Sequence, residues 1–518
     1  MAVTRMCVCN FKQKQFQMNR DGNHKSFWQD AQKEHHNAKP TVNDFETIIV
    51  GAGITGISLA IELQRRGQKC LVLEKNTIGF GTTGGTTAFI NNFFDESYDS
   101  LISKFGEDKA QTVADHALKT VSIIKNNIER YGIDCDFEES SFYLFSAEKK
   151  QDKPLEKILE AHDKLNVETS STEEFPFDLI PRKVIEIKGQ AQFHPLKYIT
   201  ALSDRFEADG GLLLTGTFVK GYERMNDTLK IETDDGEIFT AKHLVWATHI
   251  PPGNNRFNLL LAPYRSYALA AKISYKPEGF PQAADIYDVY HYFRYHQKDG
   301  EYFLIVGGFD HKTGHEVDSE QPFADLVQYT KNHFNINEIS EQWSSQYYVP
   351  ADGLPYIGKM PGEEHVYIAT GYNGNGITWG TLASHVLADL IQNKDNELAD
   401  IVSPSRIEIK ASAASALKEN SDAVFQLVKD QLLAGKSAEL NEIANGEGKV
   451  IEFKGKKVAA YRNDEGNISF LSAVCPHMGC TVKFNTAEKS WDCPCHGSRF
   501  DLQGNVLNIP ATTGLDKI

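Results

Sequence analysis

The sequence predicts an α/β body followed by a small all-β domain, and three observations carry that expectation. Short apolar runs, among them Ile48-Ile49-Val50, Leu71-Val72-Leu73 and Leu244-Val245-Trp246, alternate with helical patterns from Phe45 to about Asn393. The first of those runs opens into a glycine-rich turn and then a helix. From Gly446 to Ile518 the chain becomes strand-like and glycine-punctuated, and it gathers four of its eight cysteines there. At 518 residues it exceeds one ordinary core, so several domains are expected.

Residues 1–44 are polar, rich in Asn, Gln, Lys and His, and read as a loosely structured lead-in. Cys7 and Cys9 form a C-x-C pair that nothing nearby completes as a metal site. The opening stretch has no apolar core of the kind a secretory leader needs, so a cytoplasmic location is expected. No apolar run approaches the roughly 20 residues of a membrane span. A net charge of −16, from 54 basic and 70 acidic residues, argues against a phosphate-backbone footprint and hence against nucleic acid as a partner.

The first chemical signal is "TIIVGAGITGISLAIELQRRG", which sets Gly51-Ala52-Gly53-Ile54-Thr55-Gly56 between an apolar strand and an amphipathic helix ending near Gly67. Gly51 permits the tight turn, Gly53 lets backbone approach a pyrophosphate, and Gly56 lets helix and strand pack closely. The helix N-terminus offers unpaired N–H groups and a favourable dipole to phosphates. A second strand, "CLVLE", closes on Glu74, placed to accept from ribose hydroxyls. This pattern specifies a dinucleotide and leaves FAD and NAD both open.

Two further segments separate them. "EKNTIGFGTTGGTTA" runs from Glu74 to Ala88, and "DGLPYIGKMPGEEHVYIATGYNGNGITWGTLASHVLADLI" from Asp352 to Ile391. Together they resemble the D-amino acid oxidase and glycine oxidase family of flavoproteins over roughly residues 45–393. The resemblance implies a Rossmann-like, glutathione-reductase-type FAD-binding α/β domain interleaved with an α+β substrate domain. The FAD-binding parts would span about 45–110, 190–265 and 340–393, and the substrate parts about 111–189 and 266–339. It also implies cofactor contacts from Lys75, Gly81, Thr82, Thr83 and Val219, and from the loop Gly371, Gly374, Asn375, Gly376, Ile377 and Thr378. A helix starting near Thr378 would aim its dipole at the pyrimidine end of the flavin, where negative charge develops on reduction.

Family members that oxidise amino acids place an arginine, a fork that fits a carboxylate, just before the Asp-Gly-Leu-Pro segment. Here that position falls on Tyr347. The remaining candidates in the substrate domain are His291 and Arg294 in "HYFRYH", and Asp310 and His311 in the glycine-flanked "GGFDHKTG", a loop able to overhang the flavin. An acid–base residue is dispensable where a neutral amine loses hydride directly.

Residues 394–445 shift to Ala, Glu, Lys, Asn and Ser and read as a helical connector, with helical spacing in "SDAVFQLVKDQLLAG". Beyond it stand "CPHMGC" (Cys475–Cys480) and "CPCHGS" (Cys493–Ser498). Two Cys and two His could hold zinc, or a [2Fe–2S] cluster in which thiolates bind one iron and imidazoles the other. Both boxes resemble the Rieske family, which implies a small all-β Rieske domain over 446–518. Carried over, Cys475 and Cys493 bind one iron, His477 and His496 the other, and Cys480 with Cys495 forms a disulfide tying the loops together. Ser498 matches the serine that donates to a bridging sulfide, whereas Phe500 stands where respiratory members carry a tyrosine. A potential below the top of the roughly −150 to +300 mV Rieske range is therefore expected. The segment after His496 contains Asp501 and Asp516 but no histidine, which speaks against a self-contained Rieske oxygenase needing a second iron.

A flavin accepts two electrons together and a [2Fe–2S] cluster moves one at a time. Their union predicts a dehydrogenase of an amino acid, amine or related small molecule that reduces FAD by hydride transfer. The cluster then passes single electrons to an external acceptor. Reversed flow from an external donor, or a non-enzymatic redox sensor or electron carrier, are the competing expectations. A cavity over the flavin lined by Tyr, His or Arg would favour an enzyme.

Overall fold

The computed structural model describes residues 20–286, 290–316, 318–406 and 440–518. The Cys7–Cys9 pair and the helical spacing expected within 421–435 lie outside the described residues.

The strand Asp44–Val50 pairs in parallel with Cys70–Leu73 on one side and with Ile238–Trp246 on the other. Leu212–Leu214 and Val366–Thr370 extend this parallel core, and Tyr356–Lys359 closes one edge antiparallel. The hairpin Val219–Met225 with Thr228–Thr233 attaches beside Ile238–Trp246. Ile48, Ile49, Leu71, Val72, Leu73, Leu244 and Val245 are all fully buried, as continuous apolar strands in a doubly covered parallel sheet must be. Helices Ile54–Arg65 and Gly376–Ile391 pack against each other on one face.

A second, nine-stranded sheet builds the substrate domain. It is antiparallel except where Gln282–Asp285 runs parallel to Glu138–Ser146. Its longest members, Leu261–Ile273 and Glu338–Pro350, cross the boundaries expected near 265 and 340 and carry chain from one domain into the other. The tail folds as two small antiparallel sheets, one of Glu447–Phe453, Lys456–Arg462 and Ile468–Ser472, the other of Lys483–Asn485, Ser490–Asp492, Arg499–Phe500 and Val506–Asn508.

The described half of the N-terminal segment departs from the expected loose lead-in. Arg20, Asp21, Phe27 and Trp28 are buried. Trp28 donates through Nε1 to the Thr86 carbonyl at 2.6 Å, and Ser26 Oγ to the Gly84 carbonyl at 2.5 Å. On its other side, Asn23 N donates to Glu488 of the tail at 2.7 Å, and the Arg499 guanidinium donates to the Asp21 carbonyl. Two aromatic rings and a charge pair fix this stretch, features that an overall polar composition hides. Residues 394–406 are likewise anchored, not helical: Leu398 and Val402 are fully buried, and Arg406 grips Asp352 with two 2.8 Å bonds while lying 3.8 Å over the Tyr356 ring. Among the described residues no helix is long and apolar enough to cross a membrane.

Candidate functional site

A cavity of about 580 Å³ runs between the two large sheets. Its nucleotide end is made by the glycine turn. Gly51 has φ +109°, and a Cβ on Gly56 would lie 1.8 Å from the Gly51 carbonyl oxygen, so helix and turn touch backbone to backbone. The Thr83 hydroxyl accepts from Ile54 N at 3.0 Å at the start of the helix. Glu74 accepts from Ala52 N and Asn76 N, each at 2.8 Å, while burial pushes its carboxyl pKa up.

Of the residues singled out in the sequence, Gly51, Gly53, Ile54, Thr55, Glu74, Lys75, Gly81, Thr82, Thr83 and Val219 line the cavity, together with Gly374, Asn375, Gly376, Ile377 and Thr378. Gly56 and Gly371 act from behind the wall: Gly371, at φ +76°, makes the turn against Leu261. The helix expected near Thr378 begins at Gly376, with Asn375 as its cap residue. Asp95 accepts from Gly374 N at 3.1 Å and its own N–H donates to Asn375 Oδ1 at 2.9 Å, which fixes that loop.

The candidates at the substrate end divide. Tyr347 lines the cavity and donates to Asp310 Oδ2 at 2.8 Å. Arg294 is a correction: fully buried, it donates to the carbonyls of Thr87 at 2.7 Å and Phe193 at 3.3 Å and sits over the Trp28 ring, outside the cavity lining. Burial pushes its pKa down to about 9, consistent with a cation spent on backbone carbonyls. His291 also lies outside the lining, bonded by Nδ1 to Asp285 at 2.8 Å and stacked 3.7 Å on Tyr329. His311 does not overhang the cavity either. Its ring bonds Tyr267 Oη at 2.8 Å and the Lys312 carbonyl at 2.9 Å, because the strand alternation that turns Asp310 inward turns His311 away.

Sequence reasoning missed Asp95, Ser266, Tyr290 and Tyr292, which line the same end. Burial raises both Asp95 and Asp310 to about 6. Only Asp310 had a local signal, the glycines that flank it, and the loop expected there is the end of the strand Glu301–Lys312.

In the tail, Cys475 and Cys493 are almost fully buried, and the rings of His477 and His496 stand 5.0 Å apart. His477 Nδ1 and Nε2 and His496 Nδ1 are buried without hydrogen-bond partners. Two buried thiols and two imidazoles, three of whose four ring nitrogens are buried without partners, fit a cluster bound by paired thiolates and imidazoles. Cys480 is joined to Cys495. Cys480, Cys493 and Cys495 also lie close enough to suggest a metal trio, but disulfide sulfurs offer no thiolate, so the Cys475–Cys493 and His477–His496 set is the fitting one. The Cys475 pKa is lowered to about 7, chiefly by hydrogen bonding with Cys493 against the cost of burial, with Ser498 contributing. The Ser498 hydroxyl also accepts from Ala511 N at 3.0 Å.

The tail is part of the cavity. Leu507, Asn508 and Ile509 line it, and the Lys75 ammonium donates to the Val506 carbonyl. Gln346, another lining residue, donates through Nε2 to the Gly497 carbonyl at 2.9 Å, beside His496. The Tyr348 hydroxyl donates to the carbonyls of Ile509 at 3.2 Å and His496 at 3.4 Å. A Cβ on Gly497 would meet Pro263 at 2.6 Å, so only glycine allows this approach.

Residues 46–390 match the family described as FAD dependent oxidoreductase, and residues 433–518 match the Rieske [2Fe-2S] domain. The chain is 31% identical over 478 residues, 91% of its own length and 93% of the other's, to YhfW of Bacillus subtilis (strain 168), a protein named as a Rieske 2Fe-2S iron-sulfur protein. It is 22% identical over 366 residues, 67% of this chain and 83% of the other, to the gamma-glutamylputrescine oxidoreductase of Escherichia coli (strain K12). Its fold is similar to that of glycine oxidase from Geobacillus kaustophilus, with a TM-score of 0.60 at 20% identity, covering 71% of this chain and all of that one. The chain therefore belongs to the FAD dependent oxidoreductase family and carries a Rieske [2Fe-2S] domain at its C-terminal end.

Proposed function

We propose that this enzyme is a dehydrogenase of a small amine or amino acid that sends its electrons from FAD through the Rieske cluster to an external acceptor. The bound FAD supplies a two-electron acceptor and the cluster a one-electron relay. One observation carries the reading: Gln346 lines the cavity and holds the Gly497 carbonyl, next to His496, at 2.9 Å. Such contact gives electrons a short covalent and hydrogen-bonded route that does not require oxygen to enter the cavity.

The placement of these residues supports the following assignment to the cofactors. The N–H groups at the start of Ile54–Arg65, with Thr83, receive the pyrophosphate, Glu74 the ribose, and the start of Gly376–Ile391 the pyrimidine edge. Cys475 and Cys493 hold one iron, His477 and His496 the other. A substrate end with Tyr290, Tyr292, Tyr347 and Asp310 favours turnover of a small molecule over a sensor with a sealed flavin face.

The reading is tested by anaerobic rapid mixing of the holoenzyme with amines and amino acids. Flavin bleaching followed by the reduced-cluster EPR signal is the expected sequence. A flavin that bleaches while the cluster stays oxidised would refute the route, and a cluster that must be reduced first would reverse it.

A further inference from the structure

The substrate end of the cavity has an unusual charge balance. Its lining holds Asp95 and Asp310 beside Tyr290, Tyr292 and Tyr347. Lys75 is the only lysine or arginine among the described lining residues, and it belongs to the nucleotide end, where it donates to the Val506 carbonyl. Asp310 is hydrogen-bonded by Tyr347 at 2.8 Å and by the Ser266 hydroxyl, both neutral donors, and its Oδ1 is buried without a partner. Burial raises Asp310 most, Asp95 adds to that by like charge, and the nearby His291 opposes it. Neither carboxylate forms an ion pair with a described cationic side chain. Arg294, the nearest arginine in sequence, is consumed by two backbone carbonyls, and His291 by Asp285.

A buried carboxylate without a counter-ion is costly, and the partner that completes it is a cation. Tyrosine faces add attraction for an ammonium group. A substrate carboxylate brought into the same space would meet like charge and no guanidinium fork to receive it.

We propose that this end of the cavity takes a cationic amine with no carboxylate on the carbon to be oxidised, its ammonium held by Asp310 with Asp95 and the tyrosines around it. This deepens the dehydrogenase reading and rests on it. The ammonium gives one N–H proton to Asp310. The adjacent carbon then loses a hydride, with its electron pair, to oxidised FAD, and the C–N bond becomes a protonated C=N. Water later adds to that carbon, outside the redox step.

The experiment uses the holoenzyme and substrate pairs that differ only by a carboxylate on the carbon to be oxidised: ethylamine and alanine, isobutylamine and valine, benzylamine and phenylglycine. Initial rates of anaerobic flavin bleaching are read for each. Binding without turnover is read as perturbation of the flavin spectrum by tetramethylammonium and by benzoate. In at least one pair the amine should react roughly tenfold or more faster than its amino acid. Tetramethylammonium should perturb the spectrum and benzoate should not, and Asp310→Asn should weaken the cation about tenfold at unchanged flavin content. Amino acids reacting as fast as their amines, or cation binding indifferent to Asp310→Asn, would overturn the cation site and leave the dehydrogenase reading standing. Cation binding that depends on Asp310, with no compound bleaching the flavin, would support the site and sink the dehydrogenase.

Discussion

Gln346 touches both redox halves of the molecule: the residue lines the flavin cavity, and its side chain accepts from Thr313 Oγ1 at 3.1 Å and donates to the Gly497 carbonyl at 2.9 Å. The chain thus fixes the cluster loop to the flavin wall instead of leaving the two domains to meet by diffusion. Gln346→Leu should leave substrate reduction of FAD unchanged and slow the appearance of reduced cluster. Losing this bond strands a buried carbonyl, a cost of about 1–3 kcal/mol in docking. Double-mixing kinetics and limited proteolysis of the tail together check both parts.

Ser498 points its hydroxyl toward Cys475 while its oxygen accepts from Ala511 N. A hydrogen bond to a cluster sulfur favours the reduced, more negative state. Ser498→Ala should therefore lower the midpoint potential by roughly 20–60 mV, the equivalent of one net hydrogen bond for a one-electron couple. EPR-monitored redox titration measures it, and an unchanged potential would place the hydroxyl in a purely structural role.

Glu488 binds the tail to the N-terminal segment and the substrate sheet at once. Its Oε1 lies 3.6 Å from Arg265 and 3.9 Å from Arg20, all three buried, and the Ser344 hydroxyl donates to it. Burial pushes its carboxyl up, but Arg20, Arg265 and Arg499 outweigh burial and hold it at about 2. Arg265 itself is pushed down, since burial and Arg499 outweigh its acidic neighbours. A depressed carboxylate stabilises above its unfolded value and loses that contribution as pH falls through the folded one. Docking should weaken between the ordinary value of 4.5 and about 2. Glu488→Ala should cost about 3–5 kcal/mol by leaving buried arginines uncompensated. Thermal melts against pH check both, and Glu488→Gln should flatten the acid limb.

Gly56 has no room for a side chain, with the Gly51 carbonyl 1.8 Å from where a Cβ would sit. Gly56→Ala should push the helix off the turn at a cost of about 1–3 kcal/mol, mostly in flavin affinity. The check is flavin retained after gel filtration, with cluster absorbance as the internal standard of a folded tail.

What could be read from sequence was what local geometry dictates. The turn Gly51–Gly56, the acid Glu74 and the two Cys/His boxes each require particular residue types at fixed spacing, so their chemistry is visible in a few neighbouring positions. The substrate end is different. Asp95 and Asp310 are brought together by separate elements, and nothing in either neighbourhood names the other. Arg294 misled because an arginine on a strand near the expected site looks the same whether it faces a ligand or the carbonyls of Thr87 and Phe193. His311 misled by one residue of strand alternation. The packed segment Arg20–Ala31 was hidden because its stability comes from Trp28 and a charge pair with the tail, a contact spanning most of the chain.

Leu507, Asn508 and Ile509 form part of the wall around the flavin, although they follow the glycine turn Gly51–Gly56 at a great distance along the chain. Synthesis therefore delivers the glycine turn long before the pieces that shut it in. Until the tail docks, the turn lies in an open groove, which sets an order of assembly: the nucleotide has free entry early, and the arriving iron–sulfur module acts as the stopper.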